Sequence, residues 1–250
     1  PKLFDRFISK LKPIIEEKKV KEFKLFTSID TWDKDKAEYI RNGLDIELFK
    51  RNFDKYLTEI KDSKLSLMIT FNNLCVTNFD SLLEQILKWR EKYNDKDVKE
   101  HGNINQPIPL QRIQMDTPYL KEPPHYDMNI LPKEDFTHHM NRHLEFMINF
   151  QDDDDNTKFK TLEVEKFRRV VDYFKSAEVD EDYLRKGRSD FYNFFDEHDR
   201  RRDTDFIKAF PEYEEFYISC RNNSTKTQRA IRLEQRRAEM LRRKQNDKMD

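Results

Sequence analysis

The residues best suited to chemistry stand where short apolar runs stop. The run Lys24-Leu25-Phe26-Thr27 ends in Ser28, Asp30 and Thr31, polar side chains that a core strand has no reason to carry. Side chains alternate along a strand, so Ser28 and Asp30 share a face and present a hydroxyl beside a carboxylate. That pair suits a ribose or an amino-acid amine. Arg41, a little further on, adds a guanidinium fork that can hold a carboxylate through two hydrogen bonds. It is expected to pair with Asp30 or Glu38, or to lie partly solvated in a cleft, because an uncompensated buried guanidinium is costly. A second run, Lys64 to Phe71, closes on Thr70, Asn72 and Asn73. The plainer use of Asp30 or Thr31 is to cap the following helix.

Other candidates each have a competing, ordinary explanation. His139 and His143 are four apart on an expected helix and could share a metal, but no third ligand follows at a suitable spacing, and a bare pair reads as surface decoration. The run Asp152 to Asp155 lacks the alternation and the glycine of a calcium loop and reads as a solvated turn. His198, Asp199 and Arg200 to Arg202 could form an acid/base or anion-binding cluster, or a solvated helix face. From Ser224 onward, nine Lys or Arg face four Asp or Glu. This basic tail could meet RNA, or be a frayed terminal helix.

The elements that must position these groups follow from periodicity. Leu3, Phe4, Phe7, Ile8, Leu11, Ile14 and Ile15 have helical spacing, with a kink or break expected at Pro13. Strands are expected near residues 22–29, 64–71 and 110–115, adjacent and parallel. Gly43 ends a short helix carrying Arg41, and Asp45 caps a helix over 46–60. Another helix covers 78–93, on the same outer side as the first. This strand–helix alternation argues for parallel strands with right-handed crossovers. Residues 118–131, with Pro118, Pro123 and Pro124, form an irregular loop, and helices follow. Stripes run through Phe136, Met140, Leu144, Met147 and Ile148, and through Leu162, Phe167, Val170, Val171 and Phe174. Phe191, Phe194 and Phe195, then Phe206, Ile207 and Phe210, suggest two shorter helices. The expected divisions are 1–131, 132–221 and a charged tail, helical or disordered, over 222–250.

Composition removes several function classes. The chain has 250 residues, 39% of them charged, yet 13% are aromatic, enough to build a core under a charged surface. A net charge of −1 gives no global pull toward nucleic acid or membrane. No apolar run reaches the length of a membrane span and no signal peptide opens the chain. Only three glycines are present, which excludes a glycine-rich phosphate loop. Two distant cysteines, Cys75 and Cys220, make no disulfide framework and fit a reducing cytoplasm.

The string FTSIDTW followed by AEYIRNGLD resembles the fourth-strand region of radical S-adenosylmethionine (SAM) enzymes, in the group named for twitch or SPASM domains. The similarity runs from Phe4 to about Cys220, and the related proteins carry a string like EHDRRR. The resemblance implies the second half of a partial (β/α) barrel followed by a helical carboxyl-terminal extension. It implies SAM binding by Ser28, Asp30 and Arg41, with Thr70 and Asn72 as further candidates at the next strand end. It also implies a [4Fe-4S] cluster and a 5′-deoxyadenosyl radical that abstracts hydrogen from a peptide or small-molecule substrate. The sequence departs from the family in one decisive respect. A C-x3-C-x2-C loop is absent, and so are the glycine-rich SAM motif and the auxiliary-cluster cysteines. Iron–sulfur clusters need several thiolates, and this chain has two cysteines. The expectation is therefore a cytoplasmic fragment, inactive alone, whose partner is the missing amino-terminal part of the same protein. The alternative is a non-catalytic interaction or nucleic-acid-binding protein that uses the helices and the basic tail.

Overall fold

The computed structural model describes residues 2–93 and 111–224, together with Arg229 and Leu233. Most of the basic tail and Leu110, the expected first residue of the third strand, lie outside the described residues. The chain forms two compact units, Pro1–Leu120 with Lys133–Ala177, and Lys121–Pro132 with Glu178–Asp250. These do not follow the expected divisions at 131 and 221.

The first unit is α/β. Three strands, β1 (Lys24–Ser28), β2 (Lys64–Met68) and β3 (Ile113–Asp116), form one parallel sheet in the order β1-β2-β3. The register pairs Lys24 with Lys64 and Ser28 with Met68, and then Ser66 with Gln114 and Met68 with Asp116. Beyond Met68 the pairing continues as a single bridge between Phe71 and Tyr119, so the expected strand 64–71 is regular only in its first part.

Alternation along these strands produces two unlike faces. Leu65, Leu67, Ile69, Ile113 and Met115 are buried on one face. Helices α3 (Ile46–Glu59) and α4 (Phe79–Tyr93) lie side by side, with the Phe53 and Trp89 rings stacked at 4.0 Å. Tyr56 on α3 donates its hydroxyl to the Lys64 carbonyl of β2. Helix α4 meets β3 through Arg90, which donates to the Ile113 carbonyl. The opposite face carries Lys24, Phe26, Ser28, Met68, Gln114 and Asp116, all partly or fully exposed. Phe26 is 60% exposed.

Helix α1 (Lys2–Glu16) buries Ile8, Leu11 and Ile15 and continues through Pro13. The helix is not broken at Pro13, which sits on the exposed face, where water can serve the carbonyl left without a donor. Helices α5 (Lys133–Asn149) and α6 (Thr161–Ser176) pack on this unit. Phe167 of α6 meets Phe71 and Phe79 with ring centroids 5.4 and 5.0 Å away. A buried ion pair fixes the same joint. Arg90 is fully buried and donates to Glu163 at 2.6 and 3.1 Å and to the Lys158 carbonyl. Glu163 in turn accepts from the Met115 and Lys160 amides.

The second unit is built on α7 (Glu181–Arg202), with the short α8 (Phe206–Ala209) and α9 (Glu214–Asn223). Phe191, Phe195, Phe206, Phe210 and Tyr213 are buried together. Helix α7 is far longer than the short helix expected around Phe191. Its cap, Asp180, accepts from the Tyr183 amide, and the helix passes through Gly187 at a close contact with Ile130. No helix among the described residues is long and apolar enough to cross a membrane.

Candidate functional site at the carboxyl ends of the strands

Parallel strands place their carboxyl ends on one edge of a sheet, and there the chain assembles its polar cluster. Just past β1, Asp30 is 4% exposed. Its Oδ2 accepts from Arg41 Nε at 2.7 Å and its Oδ1 from Arg41 Nη2 at 3.0 Å. Oδ1 also accepts from the Thr70 amide, beyond β2, at 3.2 Å. Asp30, Arg41 and the Thr70 backbone therefore form one clasp across two strand ends. Burial pushes the Asp30 carboxyl above its ordinary range, while the Arg41 fork and the Thr70 amide pull it back.

Local sequence fixes Arg41 in this place. Helix α2 (Lys34–Ile40) is capped by Asp33, whose side chain accepts from the Lys36 amide. Asp33 thus performs the capping that Asp30 or Thr31 could have done. Arg41 closes α2, and Gly43 at φ 79° turns the chain into α3, where Asp45 caps through the Leu48 amide. Glu38, the other expected partner of Arg41, binds Lys34 and the Ile46 amide instead. The Arg41 side chain remains 34% exposed.

The remaining sequence-derived site residues behave differently. Ser28 is exposed on the open sheet face, away from the clasp's hydrogen bonds. Asn72 is buried and spends its side chain on backbone, accepting from Leu74 N and donating to Thr70 O. Turn formation accounts for its polarity. The structure therefore brings Asp30, Arg41 and Thr70 together, leaves Ser28 beside the open face, and gives Asn72 a structural role.

The cysteines do not suit a cluster. Cys75 and Cys220 are both free and buried. Burial drives the Cys75 thiol strongly upward and that of Cys220 to about 12, the wrong direction for thiolate ligands. Among the described residues, no three His, Cys, Asp or Glu side chains converge as a metal site would require. The residues present do not fit an iron–sulfur cluster.

Other candidates also resolve into structure. His143 is a core residue, not a surface one: it is fully buried and its Nε2 donates to the Val76 carbonyl at 2.7 Å. Burial lowers its pKa to about 4, keeping it neutral. The Asp152–Asp155 turn encloses a cation after all, but a covalent one. Lys160 Nζ donates to the carbonyls of Asp152, Asp153 and Asp155 at 2.8 to 3.1 Å. In the arginine run, Arg200 and Arg201 pair with Glu197, while Arg202 donates to His198 Nε2. Thr204 and Asp199 complete the end of α7. No protein-family model, curated protein or solved structure matches this chain.

Proposed function

We propose that this chain is the SAM-orienting part of a radical SAM enzyme: the second half of a partial (β/α) barrel over residues 1–131, with the helices of residues 132–221, α5 to α9, as its helical extension. The observation that carries the reading is the open, polar face of an all-parallel sheet. Such sheets almost always have both faces covered. A face displaying Lys24, Ser28, Gln114 and Asp116 suits the inside of a barrel, with the Asp30–Arg41–Thr70 clasp at its carboxyl rim.

SAM fits this rim in kind. Ser28 offers a free hydroxyl to a ribose, and Arg41 keeps about a third of its side chain exposed while Asp30 holds its guanidinium in a two-bond fork. SAM supplies the hydrogen-abstracting radical chemistry when bound; the residues here bind and orient. Asp30 acts through Arg41, as the anchor that fixes the fork, and the Thr70 amide fixes Asp30. In this reading the cluster thiolates come from outside these 250 residues, the substrate is a peptide or small molecule, and the setting is the reducing cytoplasm, in accord with two free buried thiols.

Titration of the chain with SAM, read by backbone amide resonances, tests this. Weak, millimolar binding is expected, with shifts confined to residues around Ser28, Asp30, Arg41 and Thr70 and removed by Ser28→Val. Shifts elsewhere, or none at these positions, overturn the reading. Micromolar affinity would mean that the pocket is already complete in this chain.

A further inference from the structure

The open face of the sheet is an ordered grid. Its middle row is Phe26, Ser66 and Gln114, and its carboxyl row is Ser28, Met68 and Asp116. At the amino end, Lys24 stands beside Lys64. Lys24 reaches across buried Ser66, and its Nζ donates to Gln114 Oε1 at 2.5 Å. The ammonium also lies 5.0 Å from the centre of the Phe26 ring.

The charges on this face do not balance. Lys64 pairs with Glu22, and Lys166 of α6 pairs with Asp116 at 2.9 Å. Among the described residues, Lys24 has no carboxylate at ion-pair distance, and its hydrogen-bonding partner is a neutral amide. Burial, and then the neighbouring Lys64 charge, push the Lys24 ammonium below its ordinary range, against a smaller upward pull from Glu22 and Asp116. Gln114 accepts through its oxygen, which leaves its amide NH₂ as a second donor on the same side chain. The exposed Phe26 ring adjoins both.

The geometry points to a binding site for a small monocarboxylic acid with an apolar body. Lys24 and the Gln114 NH₂ receive the carboxylate, and Phe26 carries the apolar part. One ammonium without an ion-pair partner and one amide match a single negative charge; the neighbouring cations Lys64 and Lys166 are already paired with Glu22 and Asp116, so a phosphate dianion would lack its second cation. The inference rests on the proposed function only in taking this face as ligand-facing; it does not require SAM.

The probe is phenylacetate, with phenylacetamide as its uncharged counterpart, titrated into the full chain and followed by side-chain resonances of Lys24, Phe26 and Gln114. Phenylacetate is expected to shift all three and to bind at least about tenfold more tightly than the amide. Lys24→Met should abolish the preference and Lys24→Arg should retain it, with melting temperatures confirming that both variants fold. Equal binding of acid and amide, an unchanged preference in Lys24→Met, or no shift at these residues overturns the assignment. Tighter binding of a short acidic peptide than of phenylacetate would also overturn it, in favour of a peptide face. Carboxylate binding without SAM binding would leave this site standing and remove the SAM reading; the reverse outcome would do the opposite.

Discussion

Asp30 shows how far a single residue's type predicts its surroundings. A carboxylate at a strand end was legible as a candidate, and its pairing with the guanidinium eleven positions later was one of the arrangements expected, beside Glu38 and partial solvation. The partner was foreseeable because a buried charge needs one. That Thr70 would supply the third hydrogen bond was not legible, since a backbone amide has no sequence signature. The clasp has a stability consequence. Arg41→Ala strands a buried carboxylate, and because Arg41 is only partly buried the loss should be about 2 kcal/mol, below that of a fully buried pair. Asp30→Asn/Arg41→Ala should recover part of it. Urea unfolding of the four-member cycle measures this, and strictly additive losses would show that the pair is not coupled.

His143 allows a second test at this scale. Its environment holds Asp80, Arg142 and His139, and the ring is neutral at physiological pH. Because the folded chain resists protonating it, stability is full above pH 6.5. It falls between 6.5 and about 4 as the unfolded chain takes up the proton, by about 3 kcal/mol in all. His143→Gln keeps a donor for Val76 and should remove this component. The difference in unfolding free energy between wild type and variant across that window is the measurement; parallel pH curves would contradict the prediction.

At the scale of elements, periodicity carried most of the information. The strand cores, α3 and α4 follow from apolar spacing, and their parallel order follows from the alternation of strand and helix. What the pattern could not convey were joints made across long separations. Arg90 and Glu163 lie 73 residues apart, and nothing local marks either as buried. Helix α7 was underestimated because its apolar residues are concentrated in the stretch 191–195, while its first half is charged and includes Gly187. That glycine has a packing reason: a Cβ there would come within 2.6 Å of Ile130 Cγ2. Gly187→Ala would gain about 1 kcal/mol in helix propensity but lose about 1 to 3 kcal/mol to the clash, so a net destabilisation is expected. Adding Ile130→Ala should reverse the sign of the Gly187→Ala effect. Thermal melts of the single and double variants decide it, and a stabilised single variant would show that Ile130 gives way freely.

At the scale of the whole molecule, composition excluded more than it identified. Near-neutral charge and few glycines removed nucleotide loops and a global electrostatic partner, but neither could reveal that one sheet face stays open. That face became visible only when three strands set 24–28, 64–68 and 113–116 side by side. One smaller feature bears on how the molecule meets its surroundings. The acidic turn before α6 is ordered by Lys160, whose ammonium occupies the position a dissolved ion would otherwise take. A tethered cation has a fixed local concentration that neither chelation nor dilution can change. The order of this turn is therefore supplied by a cation inherited with the chain itself.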